Sequence, residues 1–265
     1  MKKIVLSIIV GTLVLFVITG CSWSNNSESK KDNETKTNVS SENENSKVIT
    51  EAPNVKIDYQ EINSPINVVD YDREKPLFNG RTPIFTIENV NVGYNKLQDA
   101  LSKLSEQFSS YDRANMLLQE EAYNNKSKQL DPMSYYRIVY PQLCNTEYYS
   151  FYIMDSEYVE GEKNAVETGY VFDVKTGEKV DISHFFPDRQ NLAETMREQY
   201  KNSQYGNYYN SYVDNYFNRI KSDTTYNFNY YITENNIVVI VDGMSEMAAS
   251  RNMSNVEIVL PKPSV

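Results

Sequence analysis

The chain has 265 residues, 40% of them hydrophobic, and its 36 acidic against 26 basic side chains give a formal net charge of −10. This acidic balance excludes electrostatic binding to nucleic acid or to anionic lipid head groups, because both need an excess of Lys and Arg. The single histidine excludes a zinc site of the deacetylase kind, in which at least two imidazoles hold the ion.

The N-terminal segment has the pattern of a secretory signal. Lys2 and Lys3 precede an apolar run, Ile4 to Ile18, that is too short to span a membrane comfortably. The residues Ile18-Thr19-Gly20-Cys21 resemble the bacterial lipobox, whose cysteine receives diacylglycerol before the chain is cut in front of it. We therefore expect residues 1–20 to be a lipoprotein signal peptide and Cys21 to anchor the protein to the extracytoplasmic face of the cell membrane. The alternative is a signal anchor that is never cleaved.

Residues 21–54 are rich in Ser, Asn, Glu, Lys and Thr and contain almost no large apolar side chains. Such a segment cannot bury a core, so we expect a disordered tether between the lipid anchor and a folded domain. The remaining residues, 55–265, suffice for one large domain with a sizeable core. We divide this domain into halves of about 55–160 and 161–265.

The first half is predicted to contain strands and one long helix. Strand-like runs cover 55–63 and 66–71, and another covers 83–88 after a turn at Asn79-Gly80. Apolar residues spaced by three and four then predict a helix from about Asn91 to Ala122. Its apolar face consists of Leu97, Leu101, Leu104, Phe108 and Tyr111. Further strands are predicted at 135–143 and 148–154.

A hairpin opens the second half. Strands at 169–174 and 180–182 flank the turn Lys175-Thr176-Gly177-Glu178. Asp173 can cap this turn, and Gly177 can take the left-handed conformation that a side chain would resist.

Two helical segments and three strands follow. Asp188 has the side chain of an N-cap residue, and Gly206-Asn207 breaks the helix that it begins. The two apolar faces consist of Leu192, Met196 and Tyr200, and of Tyr209, Val213, Tyr216 and Ile220. Strands are predicted at 226–232, 237–241 and 256–260. Strands grouped around two or three helices predict an α+β fold with mostly antiparallel sheet.

The order of these segments resembles the extracytoplasmic domain shared by the anti-sigma factor RsiV and the peptidoglycan deacetylase PdaC. The residues that carry the resemblance are Phe172-Asp173, Thr176-Gly177, Ile182–Phe186 and Glu246-Met247-Ala248. The segment PIFTIENVNVGYNKLQDALSKL looks like the first half of the same domain, although Ala249 stands where proline is usual. The resemblance implies a cell-envelope binding domain, and none of its motifs is catalytic.

The residues themselves predict no enzyme and no cofactor. Neither H-E-x-x-H nor G-x-S-x-G occurs, and we interpret His184 as a corner residue packed between Ser183 and Phe185. A glycan-acting enzyme is the alternative, and its carboxylates would come from pairs such as Glu120-Glu121 or Asp155 and Glu157.

Cysteine occurs twice in the chain, at Cys21 and Cys144. If Cys21 carries lipid, Cys144 has no partner for a disulfide within the chain. Its aromatic-rich surroundings predict a buried, inert thiol.

Tyrosine is frequent, with 22 residues concentrated in 135–158 and 201–231. Exposed tyrosines suit stacking on sugar rings or contacts with a protein partner, whereas the alternative is a compositional bias with the rings in the core. We select the surface around Tyr205, Tyr208 and Tyr209 as a candidate binding site, because Gly206 places it at a helix break.

The loop between the last two strands, residues 242–252, is the second candidate, and Glu246 and Arg251 are its charged side chains after Asp242. Together with the resemblance, these surfaces predict a non-catalytic domain that binds a lysozyme-like muramidase or peptidoglycan. The alternatives are the glycan-acting enzyme and a scaffold for another envelope complex.

Overall fold

The structure, a computed structural model, describes residues 51–70, 72–88, 92–126, 130–159, 162–242 and 255–263. All of them belong to one compact unit, Ser46–Val265. The predictions for the signal peptide, for Cys21, for most of the tether, and for Glu246 and Arg251 lie outside the described residues.

A five-stranded sheet forms the larger layer, in the order β1-β4-β5-β6-β7. Its strands are β1 (Val55–Asn63), β4 (Phe78–Ile87), β5 (Met133–Cys144), β6 (Tyr148–Val159) and β7 (Glu162–Asp173). The hairpin of β2 (Asn67–Asp70) and β3 (Arg73–Pro76) lies between β1 and β4 in the chain. Neighbouring strands are antiparallel except for a short parallel pairing between β4 and β5.

Helix α1 (Asn95–Asn125) packs against one side of this sheet. Leu97, Leu101 and Leu104 are buried there, as the spacing predicts. Tyr111 was predicted to share this apolar face, but it is 43% exposed, and the fully buried side chain next to it is Asp112. The reason is that Asp112 lies four residues after Phe108, on the line of the helix that faces the sheet, where Arg137 of β5 pairs with it.

A second layer contains the other two helices and a three-stranded sheet in the order β10-β9-β8. Its elements are α2 (Arg189–Asn202), α3 (Ser211–Ser222), β8 (Asn229–Ile232), β9 (Asn236–Asp242) and β10 (Asn255–Pro261). The two predicted apolar faces are buried between the helices and this sheet, apart from the half-buried Tyr209. The N-cap prediction is confirmed, because the Asp188 carboxylate accepts from the amides of Gln190 and Asn191.

The turn after β7 has the predicted geometry. The Asp173 carboxylate accepts from the amides of Lys175 and Thr176, and Gly177 has φ = 67°. The strand predicted at 180–182 is wrong. The returning chain makes a single bridge, at Lys179, and then enters a 3-10 turn at Ile182–His184, where the Asp181 carboxylate accepts from the Ser183 amide.

The predicted turn at Asn79-Gly80 is also wrong, because both residues lie inside β4. A Cβ on Gly80 would meet the Phe78 ring at 2.9 Å and the Asp112 side chain at 3.2 Å. Glycine is required there by the close approach of α1 and not by a turn.

The folded region begins before the predicted boundary at residue 55. The hydroxyl of Tyr94 donates to the carbonyl of Glu51, and the Asn54 side chain donates to the Glu88 carboxylate at 2.9 Å. At the other predicted boundary, near residue 160, β6 and β7 pair along their whole lengths.

The architecture is α+β, with three helices and mostly antiparallel sheet. Within the described ranges, no helix is long and apolar enough to cross a membrane.

Candidate functional site

The predicted surface around residues 205–209 is largely occupied by internal contacts. Tyr205 is only 7% exposed, and its ring stacks on Tyr200 with centroids 6.1 Å apart. The ring of Tyr205 is therefore not part of an exposed surface, contrary to the prediction. It is buried because the 3-10 turn at Gly206–Tyr208 folds the chain back onto α2, with a Cβ position on Gly206 only 2.1 Å from the Lys201 carbonyl oxygen.

Tyr209 and Tyr208 differ from Tyr205 in exposure. Tyr209 is half-buried, its hydroxyl donates to Asp214, and the Lys201 ammonium lies 4.2 Å from its ring centroid. Tyr208 is 42% exposed. Of the three predicted tyrosines, Tyr208 is the most exposed.

A larger set of tyrosines lies on the five-stranded sheet, on the side opposite α1. Because side chains alternate along a strand, every second residue of β5 and β6 points to this side. The register places Tyr140 opposite Tyr152 and Ile138 opposite Met154. We call this surface the tyrosine face; it consists of Tyr136, Ile138, Tyr140, Tyr152, Met154 and Tyr158. Tyr158 is 37% exposed and the other five side chains are half-buried.

The rings of the tyrosine face are ordered by contacts with one another. Tyr140 and Tyr152 are stacked, with centroids 4.8 Å apart and planes at 15°. Tyr136 and Tyr158 meet edge to face at 5.9 Å. The two pairs place four tyrosine rings, each with its hydroxyl group, on a partly exposed surface. This combination of apolar area and hydroxyl groups suits a partner that is itself amphipathic, such as a sugar chain.

The second layer closes one end of the tyrosine face. Tyr231 of β8 is buried and lies 5.1 Å from the Tyr152 ring, between centroids. β8 is held there by two side chains. The Ser150 hydroxyl accepts from the Ile232 amide at 2.8 Å, and the Asn229 side-chain amide accepts from Gly169 N at 2.6 Å. The tyrosine face therefore lies on a rigid support.

Two carboxylates border the tyrosine face at this end. Glu257 accepts from the Tyr231 hydroxyl at 3.0 Å, and Glu167 accepts from the Asn255 side-chain amide at 3.0 Å. Burial raises the pKa of Tyr152, and the nearby Glu167 and Glu257 raise it further. The border of the tyrosine face is thus acidic.

The position of Asn255 also locates the ends of the predicted binding loop. Asn255 begins β10 and pairs with Asp242, where β9 ends, and Glu167 is opposite Met154 of the tyrosine face. The chain between Asp242 and Asn255, which carries Glu246 and Arg251, therefore leaves and re-enters the sheet beside the tyrosine face.

In each of the two carboxylate pairs considered for an enzyme, one member has a structural contact. Glu120 accepts from the Ser64 hydroxyl at 2.7 Å. Asp155 points toward α1 and lies 2.8 Å from Arg137 Nε, an ion pair without the alignment of a hydrogen bond. Burial raises the pKa of Asp155 to about 6, and the Arg137 charge opposes this shift.

The prediction of a buried Cys144 is wrong. The residue is exposed, and its thiol donates to the Pro53 carbonyl oxygen at 3.0 Å. An irregularity in the β5–β6 register between Pro141 and Leu143 explains the difference, because it shifts the alternation so that Leu143 packs on the core. The pKa of the thiol is nevertheless raised by partial burial, which favours the inert protonated form.

His184 is exposed in the 3-10 turn, and of the two residues between which it was predicted to pack, its ring contacts Phe185. Its Nε2 lies 2.9 Å from the Tyr148 hydroxyl, and its ring meets Phe185 edge to face at 5.0 Å. In the part of the chain that the structure describes, no three His, Cys, Asp or Glu residues come together as metal ligands.

The tyrosine face was missed by sequence reasoning, although its signal is present. Tyr136, Ile138 and Tyr140 alternate along one strand, and Tyr152, Met154 and Tyr158 do so along the next. Alternation alone does not tell which side of a sheet a helix covers, because both sides of these strands carry large apolar or aromatic residues.

Solved structures with a similar fold belong to the DUF3298 family. A member from Bacteroides fragilis NCTC 9343 has 12% sequence identity and a TM-score of 0.53, over 80% of this chain and 92% of that chain. A member from Pseudomonas aeruginosa PAO1 has 9% identity and a TM-score of 0.52, over 79% and 90%. No family model and no curated protein matches the sequence. At these identities the similarity shows the fold alone, so the chain has a DUF3298-like fold.

Proposed function

We propose that this protein is a lipid-anchored, non-catalytic binding protein of the cell envelope, and that its tyrosine face binds the glycan of peptidoglycan. The observation that carries the proposal is the row of ordered, partly exposed tyrosines on β5 and β6. A glycan chain has apolar ring surfaces and hydroxyl groups, which match the ring surfaces and hydroxyls of the tyrosines.

The order of the rings favours binding. Stacked neighbours restrict the rotamers of Tyr140 and Tyr152, so less side-chain entropy is lost when a ligand settles on them. Asp242 and Asn255, the described residues that precede and follow the segment with Glu246 and Arg251, lie beside the same surface.

The location follows from the N-terminal sequence. Ile18-Thr19-Gly20-Cys21 has the order of a lipobox, and lipidation of Cys21 would hold the domain outside the membrane, where peptidoglycan lies. The resemblance to the RsiV/PdaC-like domain supports the same location.

The contacts of the carboxylates support a role without catalysis. Asp155 is held by Arg137 on the side of the sheet that faces α1, away from the tyrosine face. Of the acids that border the tyrosine face, Glu257 and Glu167 each accept a hydrogen bond from a neighbouring side chain.

The test is co-sedimentation of the full-length protein with purified peptidoglycan sacculi. We expect Tyr136→Ser/Tyr140→Ser to lose at least about 2 kcal/mol of binding, roughly 30-fold in Kd. Tyr152→Phe, which keeps the ring, should retain most of it. Tyr208→Ala is the matched control, because it removes an exposed tyrosine from the surface that the sequence favoured. Binding that depends on Tyr208 and not on the tyrosine face would contradict the proposal, provided that circular dichroism shows every variant folded.

A lysozyme-like muramidase is the second candidate partner, and the acidic border favours it. The net charge of −10, together with Glu167 and Glu257, would attract a basic protein. Binding to immobilised lysozyme should then weaken as salt rises from about 0.05 to 0.5 M, because the Debye length shortens. Binding to sacculi through ring contacts should change much less.

A further inference from the structure

A polar groove of about 610 Å³ opens where separate chain segments meet, away from the residues of the tyrosine face. The segments that meet at the groove are the turn before β6, the end of β7 with the turn that follows it, the 3-10 turn at Ile182–His184, and the segment after β10. The lining side chains that matter here are Glu147, Tyr148, Asp173, Lys175, His184 and Lys262. The volume falls in the range of small-molecule sites.

The walls of the groove are fixed by backbone hydrogen bonds. The Tyr148 amide donates to the Asn145 side chain at 2.7 Å, which holds the turn before β6. The Lys262 amide donates to the Asn235 carbonyl oxygen at 2.9 Å, which holds the segment after β10 against the β8–β9 turn. The groove therefore exists before any ligand arrives, and binding need not order it.

An aromatic pair forms the centre of the groove. The Tyr148 hydroxyl lies 2.9 Å from His184 Nε2, and Phe185, which is buried, contacts both rings with centroids 5.6 and 5.0 Å away. The Lys262 ammonium lies 5.2 Å from the Tyr148 ring centroid. This centre offers aromatic ring surface beside a cation, with the Tyr148 and His184 rings inclined at 66°.

Charges of both signs surround this centre. Lys175 and Lys262 carry positive charge, and neither belongs to the ion pairs found among the described residues. Glu147 and Asp173 carry negative charge, and one oxygen of Asp173 accepts the turn amides. A purely anionic ligand would be repelled by the two carboxylates, and a purely cationic one by the two ammonium groups.

We propose that this groove binds a small zwitterion, of the class of an amino acid or a short peptide with free ends. Its carboxylate would pair with Lys175 and Lys262, its ammonium with Glu147 and Asp173, and its apolar part would lie on Tyr148 and His184. This site is separate from the tyrosine face, so it stands whether or not the domain binds glycan.

His184 is the only histidine in the chain, so its imidazole signal in a carbon–proton correlation spectrum reports on the groove without assignment. The probe is dialanine with free ends, titrated into the full-length protein beside its N-acetyl and C-amide forms. We expect a saturable shift with free dialanine and at least tenfold weaker binding when either end is blocked. Lys262→Met should weaken the binding of free dialanine at least tenfold and leave the binding of its C-amide unchanged. Lys103→Met, on the exposed side of α1, should change the binding of neither ligand.

Equal binding of the free and blocked forms would overturn the proposal, because charge recognition of both ends would then play no part. Absence of any His184 shift up to the solubility limit of dialanine would overturn it as well. Glu147→Gln gives an independent check. It should weaken the binding of dialanine and of its C-amide, which carry a free ammonium group, but not the binding of N-acetyl-dialanine.

Discussion

The guanidinium of Arg137 lies 2.6 Å from both carboxylate oxygens of Asp112, and the two side chains are 2% and 0% exposed. Asp112 also accepts from the Thr82 hydroxyl, and the guanidinium lies 4.9 Å from the ring centroids of Phe108 and Tyr135. The pair joins α1 to β4 and β5. A charge left alone at this buried position would have no water to solvate it. Removing either side chain therefore leaves the other in an unfavourable, unpaired state.

We expect Arg137→Met to destabilise the protein by about 3 to 5 kcal/mol, because it leaves the Asp112 carboxylate buried and unpaired. Urea unfolding at pH 7 measures the change. The double variant Asp112→Leu/Arg137→Met should recover part of the loss, because it removes the unpaired Asp112 charge and leaves only Asp155, the second carboxylate beside Arg137, without its cation. A double variant as unstable as the single one would show that the unpaired Asp112 charge does not cause the loss.

The second prediction concerns pH. Burial raises the pKa of Asp155 to about 6 from its ordinary 3.8, so the folded protein holds this proton more tightly than the unfolded chain. The stability that this group contributes is therefore fully present below about pH 4 and is lost as the pH rises to about 6. We expect Asp155→Asn to gain up to about 3 kcal/mol relative to wild type between those pH values. The check is the difference between the two unfolding free energies across the range; a difference that stays constant with pH would contradict the prediction.

The crossing of β8 over β7 depends on Gly169. A Cβ there would lie 2.1 Å from the Tyr230 carbonyl oxygen, so backbone must move to admit it. We expect Gly169→Ala to cost about 2 kcal/mol or more, as overpacking does. Thermal unfolding measures this, with Val166→Ala, a 49% exposed site on the same strand, as the control. If both variants unfold at the same temperature as wild type, the close approach of β8 to Gly169 does not limit the residue at this position, and the prediction is wrong.

Tyr205 and Tyr208 provide a contrast between a core and a surface tyrosine three residues apart. Tyr205→Ala should destabilise by about 3 kcal/mol or more, because it empties a stacked position beside Tyr200. Tyr208→Ala should change stability by less than about 0.5 kcal/mol. Equal losses in chemical denaturation would refute this assignment of the two rings.

The lipid anchor is tested at Cys21. We expect Cys21→Ala to abolish incorporation of labelled palmitate and to release the protein from the membrane fraction. Cys144→Ala is the control, since that thiol belongs to the folded domain. Labelled palmitate in the Cys21→Ala protein would rule out lipidation at the lipobox cysteine.

Local patterns predicted most of the secondary structure. The spacing of Leu97, Leu101 and Leu104 predicted α1, Asp188 predicted the start of α2, and Gly177 predicted the turn after β7. These signals are reliable because helix period, N-cap chemistry and left-handed glycine depend on residues a few positions apart.

The errors arose where a distant segment decided the outcome. Gly80 was predicted to lie in a turn, but it lies in β4, where the absence of a side chain allows α1 to pack closely. Tyr111 was predicted to be on the apolar face of α1, but Asp112 is the buried residue, because burial of a carboxylate is stable only with a partner that the sequence does not identify.

For the candidate sites, the amino-acid sequence alone shows that tyrosines are abundant, that there is one histidine, and that the balance of charge is acidic. It does not show which rings are accessible, because that depends on the fold. Tyr205 is enclosed by the 3-10 turn that follows it, whereas Tyr136, Tyr140 and Tyr152 remain partly exposed because α1 covers the other side of their sheet. The physical reason is that exposure depends on which layers pack together, and layer packing joins residues far apart in the chain.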